Sequence, residues 1–139
     1  MKISFGTNVI LDAIIEGREG GAEAKQLILA VAQDRAEGLI SANSITDIYY
    51  IARKYLGDVK TREVIYSLLT IFSVAGVGED DCLNALELPM GDFEDALLAV
   101  CSQRDGAEYI VTRDEGFIAA PGCPVKAVRP AMMLSILQR

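Results

Sequence analysis

The chain contains no histidine and no tryptophan. Without an imidazole, Ser-His-Asp and Cys-His nucleophilic schemes, HExxH zinc sites and histidine acid–base catalysis are all excluded. Cysteine is scarce: Cys82, Cys101 and Cys123 are odd in number, widely spaced and without a CxxC pair. Neither a disulfide framework nor a zinc knuckle is indicated. Any chemistry must run on carboxylates, hydroxyls, lysine or a bound metal.

Long apolar runs are also missing. The longest charge-free stretch, Val64 to Gly78, is too short to span a bilayer and is broken by Ser67, Thr70, Ser73 and Gly76. The N-terminus lacks the basic region, apolar stretch and cleavage site of a secretory signal, because Gly6, Thr7, Asn8 and Asp12 interrupt it. No membrane association and a cytoplasmic location are expected. Positive charge is in deficit, with 13 Lys+Arg against 20 Asp+Glu for a net charge of -7. That disfavours broad binding to nucleic acid, while a local basic edge or a metal-filled acidic pocket stays open to a phosphodiester.

What is present describes a folded protein. The 139 residues are 51% hydrophobic and 24% charged, with no repeat or low-complexity segment, so one domain over residues 1–139 is expected. Lys2 to Phe5 reads as a strand, and Val9 to Glu16 as a helix capped from Thr7 or Asn8. Gly17 to Gly21 breaks it. Leu27, Ile28, Val31 and Ala32 suggest a second helix, followed by a strand from Gly38. SITDIYYIARKYLG then carries Ile45, Ile48, Tyr49, Ala52 and Tyr55 at helical spacing and stops at Gly57. A helix over Arg62 to Phe72, a strand over Ser73 to Val77 and a short helix over Asp80 to Glu87 follow. In DFEDALLAVCSQRDGA the residues Phe93, Ala96, Leu97, Val100 and Cys101 form one helical stripe, with Cys101 a small core residue. YIVT is a strand, Val125 to Val128 another, and a last helix starts at Pro130. This alternation predicts an α/β fold, a parallel sheet between helices, with ligands at the carboxyl ends of its strands.

Four acids fall where strands end or helices begin: Asp47, Asp92, Asp95 and Asp114. Each has a purely structural reading. Ser44 and Asp47 match a capping box, Asp92 can cap the helix that contains Asp95, and Asp114 can cap the short helix at Glu115 to Ile118. Helix starts along one edge of a parallel sheet would also bring the four carboxylates together. Converging carboxylates repel unless a divalent cation neutralises them, and hard oxygen ligands select magnesium or manganese over zinc. Such a site can activate water and stabilise charge developing on a phosphodiester.

FGTNVILD, SANSITDIYYIARK, DFEDALLAVCSQRDGAEYIVTRD and the phenylalanine of DEGF, in this order over nearly the whole chain, resemble the PIN domains, and among them the VapC-like toxins of toxin–antitoxin pairs. The resemblance implies a three-layer α/β/α sandwich with four or five parallel strands and a Mg2+- or Mn2+-dependent endoribonuclease site. It implies Asp47, Asp95 and Asp114 as metal ligands, Asp92 as an additional catalytic acid, and Thr7, Asn8 and Thr112 as small polar positions of the same pocket. The chain departs from the family at residue 6. Where the family carries the metal-binding Asp of D-T-N, this chain reads Gly6-Thr7-Asn8, so hydrolysis is expected to be impaired.

Two readings follow: a PIN-type ribonuclease, or a PIN-fold module that has lost hydrolysis and binds RNA or a protein. A phosphatase with an Asp-x-Asp pair after the first strand is disfavoured, since Gly6 and Asn8 occupy those positions. The toxin reading implies an RNA substrate and an antitoxin that presents a basic residue to the acidic groove. A mean hydropathy of +0.28 is consistent with a homodimer contact through Ile48, Tyr49, Tyr50, Leu69 and Phe72. Lys54, Lys60, Arg62 and Arg113 are candidates for RNA contact or for a solvated face.

Overall fold

The structure, a computed structural model, describes all of residues 1–139. Five strands, β1 (Lys2–Phe5), β2 (Glu37–Ser41), β3 (Phe72–Ala75), β4 (Tyr109–Val111) and β5 (Lys126–Val128), form one parallel sheet in the order β3-β2-β1-β4-β5. Eight helices connect and cover them: α1 (Thr7–Ile14), α2 (Gly21–Ala32), α3 (Ala42–Leu56), α4 (Asp58–Ile71), α5 (Glu79–Glu87), α6 (Phe93–Arg104), α7 (Glu115–Ile118) and α8 (Pro130–Leu137). This is the α/β/α sandwich expected from the sequence. β1 is central, with Ile3 registered against Gly38 on one side and Tyr109 on the other.

Strand alternation divides the core between the two faces of the sheet. On one face Ile3, Phe5, Ile40, Phe72, Val111 and Val128 pack against buried residues of α1, α2, α3, α4 and α8. On the other, Leu39, Ala75 and Ile110 pack against α5, α6 and α7. Each fully buried Ile, Leu or Phe stabilises the fold by about 1.5–3 kcal/mol relative to an exposed one. Ser4 is the polar exception in β1, and its hydroxyl is satisfied by Ser102 of α6 at 2.7 Å. At Gly38 a Cβ would lie 2.5 Å from the Phe72 ring, so the edge-to-face pair of Phe5 and Phe72 packs over bare backbone.

Strand order matters for function. The chain steps from β1 outward through β2 to β3, then returns to the other side of β1 for β4 and β5. The direction therefore reverses between β1 and β4, and a crevice opens outside their carboxyl ends, where open α/β sheets bind ligands.

Several boundaries differ from the sequence expectation, each for a local reason. α1 starts at Thr7, with Gly6 as its N-cap residue and no side-chain cap from Thr7 or Asn8. α3 starts at Ala42, directly after β2, so Ser44 and Asp47 form no capping box; Ser44 instead bonds the Ser41 hydroxyl at 2.9 Å. α4 starts four residues earlier than Arg62, because Gly57, at φ 78°, turns the chain straight from α3 into α4. Phe72 opens β3 rather than closing α4, and β3 ends at Ala75. α6 is buried on nearly all sides from Ala96 to Ser102, whereas Phe93 is 46% exposed, so the expected stripe is too narrow and starts one turn early.

Candidate active site

The turn after β1 carries the geometry of the site. Gly6 is extended (φ -66°, ψ 153°); its N–H donates to the Val111 carbonyl at 2.9 Å and its carbonyl accepts from Val9 N–H at 3.1 Å. It ties β1, β4 and the start of α1 together. The φ value is one any L-residue adopts, and a Cβ would stand 3.2 Å from the Val111 oxygen, so a side chain here needs only a small yielding of the neighbour. The backbone does not require glycine at this position.

In the crevice beside Gly6 lies a cavity of about 90 Å³. Its walls come from four segments: Thr7 to Val9 of α1, Ser41, Asn43 and Ser44 around the start of α3, Glu94, Asp95 and Leu98 of α6, and Thr112, Asp114 and Phe117 around β4 and α7. Asp95 and Asp114 also line an adjoining hollow together with Asp92. Thr7, Asn8 and Thr112 thus line the same cavity as Asp95 and Asp114.

Two of the acids have structural roles. Asp92 caps α6 by accepting the Asp95 N–H at 3.0 Å. Asp114 caps α7 by accepting from Gly116 and Phe117 N–H at 2.8 and 3.3 Å. Asp47 stands in the second turn of α3, not the first, and is not part of the cavity wall. It lies against Glu94, whose carboxyl is pushed up by partial burial, then by the Asp47 carboxylate within hydrogen-bonding reach. Asp95 is pushed up to about 6 from an ordinary 3.8, first by burial and then by Asp92, Asp114 and Glu94. The acids therefore interact as one group, although no three carboxylate or cysteine side chains are arranged to hold a metal ion. Asn43 adds a buried amide oxygen that has no hydrogen-bond partner.

Glu94 and Asn43 are the members of this site that sequence reasoning missed. Both lie inside segments singled out for other residues. The signal for Glu94 is its place between Asp92 and Asp95 in the first turn of a helix whose start was already aimed at the pocket. Nothing marks Asn43 before the start of α3 is known.

Arg113, a candidate for RNA contact or a solvated face in the sequence, is paired with a carboxylate of α1. It donates from Nε and, at 2.9 Å, from Nη2 to Asp12. Arg62 is held by Asp58 at 2.9 Å and lies over the Tyr49 ring. Two of the expected surface contacts, Ile48 and Phe72, are core residues, whereas Tyr50 and Leu69 are exposed at 54% and 42%.

Residues 2–116 match the family described as PIN domain. Ribonuclease VapC1 of Aquifex aeolicus (strain VF5) is 27% identical over 121 residues, 84% of this chain and 83% of that protein. Among solved structures, a toxin–antitoxin complex from Klebsiella pneumoniae aligns at a TM-score of 0.67 and 24% identity over 92% of this chain and 97% of that one. Mycobacterium tuberculosis VapC20, a sarcin-ricin loop cleaving toxin, aligns at 0.67 and 17% identity over 83% and 92%. VapBC2 from Rickettsia felis, bound to a promoter DNA fragment, aligns at 0.68 and 17% identity over 93% and 98%. At these identities the structural likeness is one of fold.

Proposed function

This chain belongs to the PIN domain family, and on that premise we propose that it is a VapC-like endoribonuclease by lineage, with RNA hydrolysis impaired by Gly6. The carrying observation is the convergence of Glu94, Asp95 and Asp114 with Gly6 in one cavity at the point where strand order reverses.

The donor set fits a divalent cation by its chemistry: hard carboxylate oxygens that repel one another, Asp95 holding its proton to about 6, and an unpaired amide oxygen on Asn43. Asp95 and Asp114, in the cavity wall, are the residues that would hold Mg2+ or Mn2+, and Asp92 adds negative charge; Asp47, the third ligand the family resemblance implies, stands outside that wall against Glu94. When bound, such an ion neutralises charge on a phosphodiester and acidifies water. The chain's own residues do the rest. Asp92 and Asp114 fix the first turns of α6 and α7, and Thr7, Asn8 and Thr112 offer hydroxyl and amide groups to orient a phosphate oxygen or water.

Gly6 itself favours a second reading, a module that retains the fold and a binding surface without hydrolysis. The test is cleavage of single-stranded RNA with Mg2+ or Mn2+ by the Gly6→Asp protein. Cleavage that Asp95→Asn abolishes supports the enzyme lineage; an inert restored protein favours the module.

The partners are an RNA substrate, an antitoxin and a second copy of the chain. The complexes from Klebsiella pneumoniae and Rickettsia felis support the antitoxin, whose basic side chain would offset the acidic pocket. The groove between α3 and α4, lined by Ile45, Tyr49, Tyr50, Ile65, Tyr66 and Leu69, supports the homodimer through its aromatic content. No helix is long and apolar enough to cross a membrane.

A further inference from the structure

The geometry points to Asp12 as a positioning residue: a buried carboxylate that, through Arg113, holds the Thr112–Asp114 turn against α1 and so sets the shape of the acidic cavity. The Asp12 side chain is 1% exposed. A charge so placed must be paired, and it accepts from Arg113 Nε and Nη2 and from Arg18 Nε at 3.0 Å. Asp12 is a fixed post, because Val9, Ile10 and Leu11 before it are wholly buried. Arg113, whose own N–H and carbonyl make no backbone hydrogen bond, sits between two cavity residues: Thr112, whose N–H donates to the Val128 carbonyl at 3.0 Å and whose Oγ1 accepts the Asp114 N–H at 3.1 Å, and Asp114. The facing wall, Gly6 to Val9, belongs to the segment that carries Asp12. One ion pair thus joins two walls of the site.

The Gly17 to Gly21 turn is shaped to this pair. Gly20 has φ 80°, and a Cβ there would lie 3.1 Å from Arg113 Cδ and 3.4 Å from Asp12 Oδ2. At Gly21 a Cβ would lie 3.0 Å from the Asp12 carbonyl oxygen. Two adjacent glycines let the turn rest on the pair and shield it, while Arg18 from the same turn binds the carboxylate and makes no hydrogen bond or ion pair to the β4–α7 segment.

That difference supplies the control. In the metal-free full-length chain, Arg113→Gln should speed amide exchange at Gly116 and Phe117, the two donors to Asp114, by about ten-fold relative to core amides of β1. Arg18→Gln, which removes a partner of the same carboxylate, should change them by less than about two-fold. Mn2+ affinity, followed by calorimetry, should fall about five-fold more in Arg113→Gln than in Arg18→Gln. This second readout rests on the metal reading above; the exchange readout does not. If the unmodified chain binds no Mn2+, the calorimetric readout is replaced by the same comparison in the Gly6→Asp background, and exchange by itself decides the role of Asp12. Exchange at Gly116 and Phe117 that is unchanged in Arg113→Gln, or raised equally by Arg18→Gln, overturns the positioning role whatever the metal result. Asp12→Asn, if it folds, should reproduce Arg113→Gln; a folded Asp12→Asn with native exchange overturns the role as well.

Discussion

Replacing Asp95 with asparagine should stabilise the metal-free protein at neutral pH. Asparagine keeps the shape of the side chain, and the backbone N–H that Asp92 caps is untouched. What is lost is a carboxylate held up to about 6, against an ordinary 3.8, by burial and by Asp92, Asp114 and Glu94. The folded carboxyl keeps its proton to higher pH than the unfolded one. The folded state therefore binds more protons between these two values, and stability falls as pH rises through that window. Above it the whole penalty is present; below pH 4 it is absent. The full difference corresponds to at most about 3 kcal/mol. Asp95 is only partly buried, so solvent screening brings this to about 1–2 kcal/mol. For a chain of this length the melting temperature should rise by about 4–8 °C. Thermal denaturation by circular dichroism in a chelator, at about pH 7.5 and again at about pH 4, measures it. Asp95→Asn should melt higher at the first pH and level with the native chain at the second. A lower melting temperature at neutral pH, or a difference that ignores pH, would refute the reasoning.

Further outcomes separate structural from chemical roles. Asp114→Ala should lose about 1 kcal/mol with the α7 cap, whereas Asp114→Asn keeps an acceptor for Gly116 and Phe117 and should melt like the native chain; both should weaken Mn2+ binding in a calorimetric titration. Asp92→Ser retains the α6 cap while removing a charge beside Asp95, so the Asp95 titration followed by NMR should move down towards its ordinary value with no loss of stability. Gly38→Ala should cost about 1–3 kcal/mol by denaturant titration, because its Cβ meets the Phe72 ring at 2.5 Å.

Much of the fold is legible in the sequence because its signals are strong and local. β1 is an apolar run closed by Gly6, Gly57 ends α3, and the helix from Phe93 announces itself through Asp92 and the apolar residues after it. Boundaries slipped where tertiary packing overrode the local signal. α3 follows β2 without a loop, so Ser44 faces Ser41 rather than capping a helix, and Phe72 serves the sheet because it fills the space above Gly38. At the site, Asp92, Asp95 and Asp114 stand at element ends that a pattern reveals. Glu94 and Asn43 enter through the direction of a helix turn, which no single-residue pattern encodes. Arg113 shows the limit most clearly: adjacent to Asp114 in sequence, it points to a carboxylate 101 residues away.

The central claim is that Gly6 stands at a vacant ligand position of an acidic metal site. Calorimetric titration of Mn2+ into the chain and into its Gly6→Asp form tests it directly. The Cβ at position 6 needs only a slight shift of the Val111 carbonyl, so the variant should fold, and its added carboxylate should tighten binding by about ten-fold or more. Equal, tight binding by both proteins would contradict the claim.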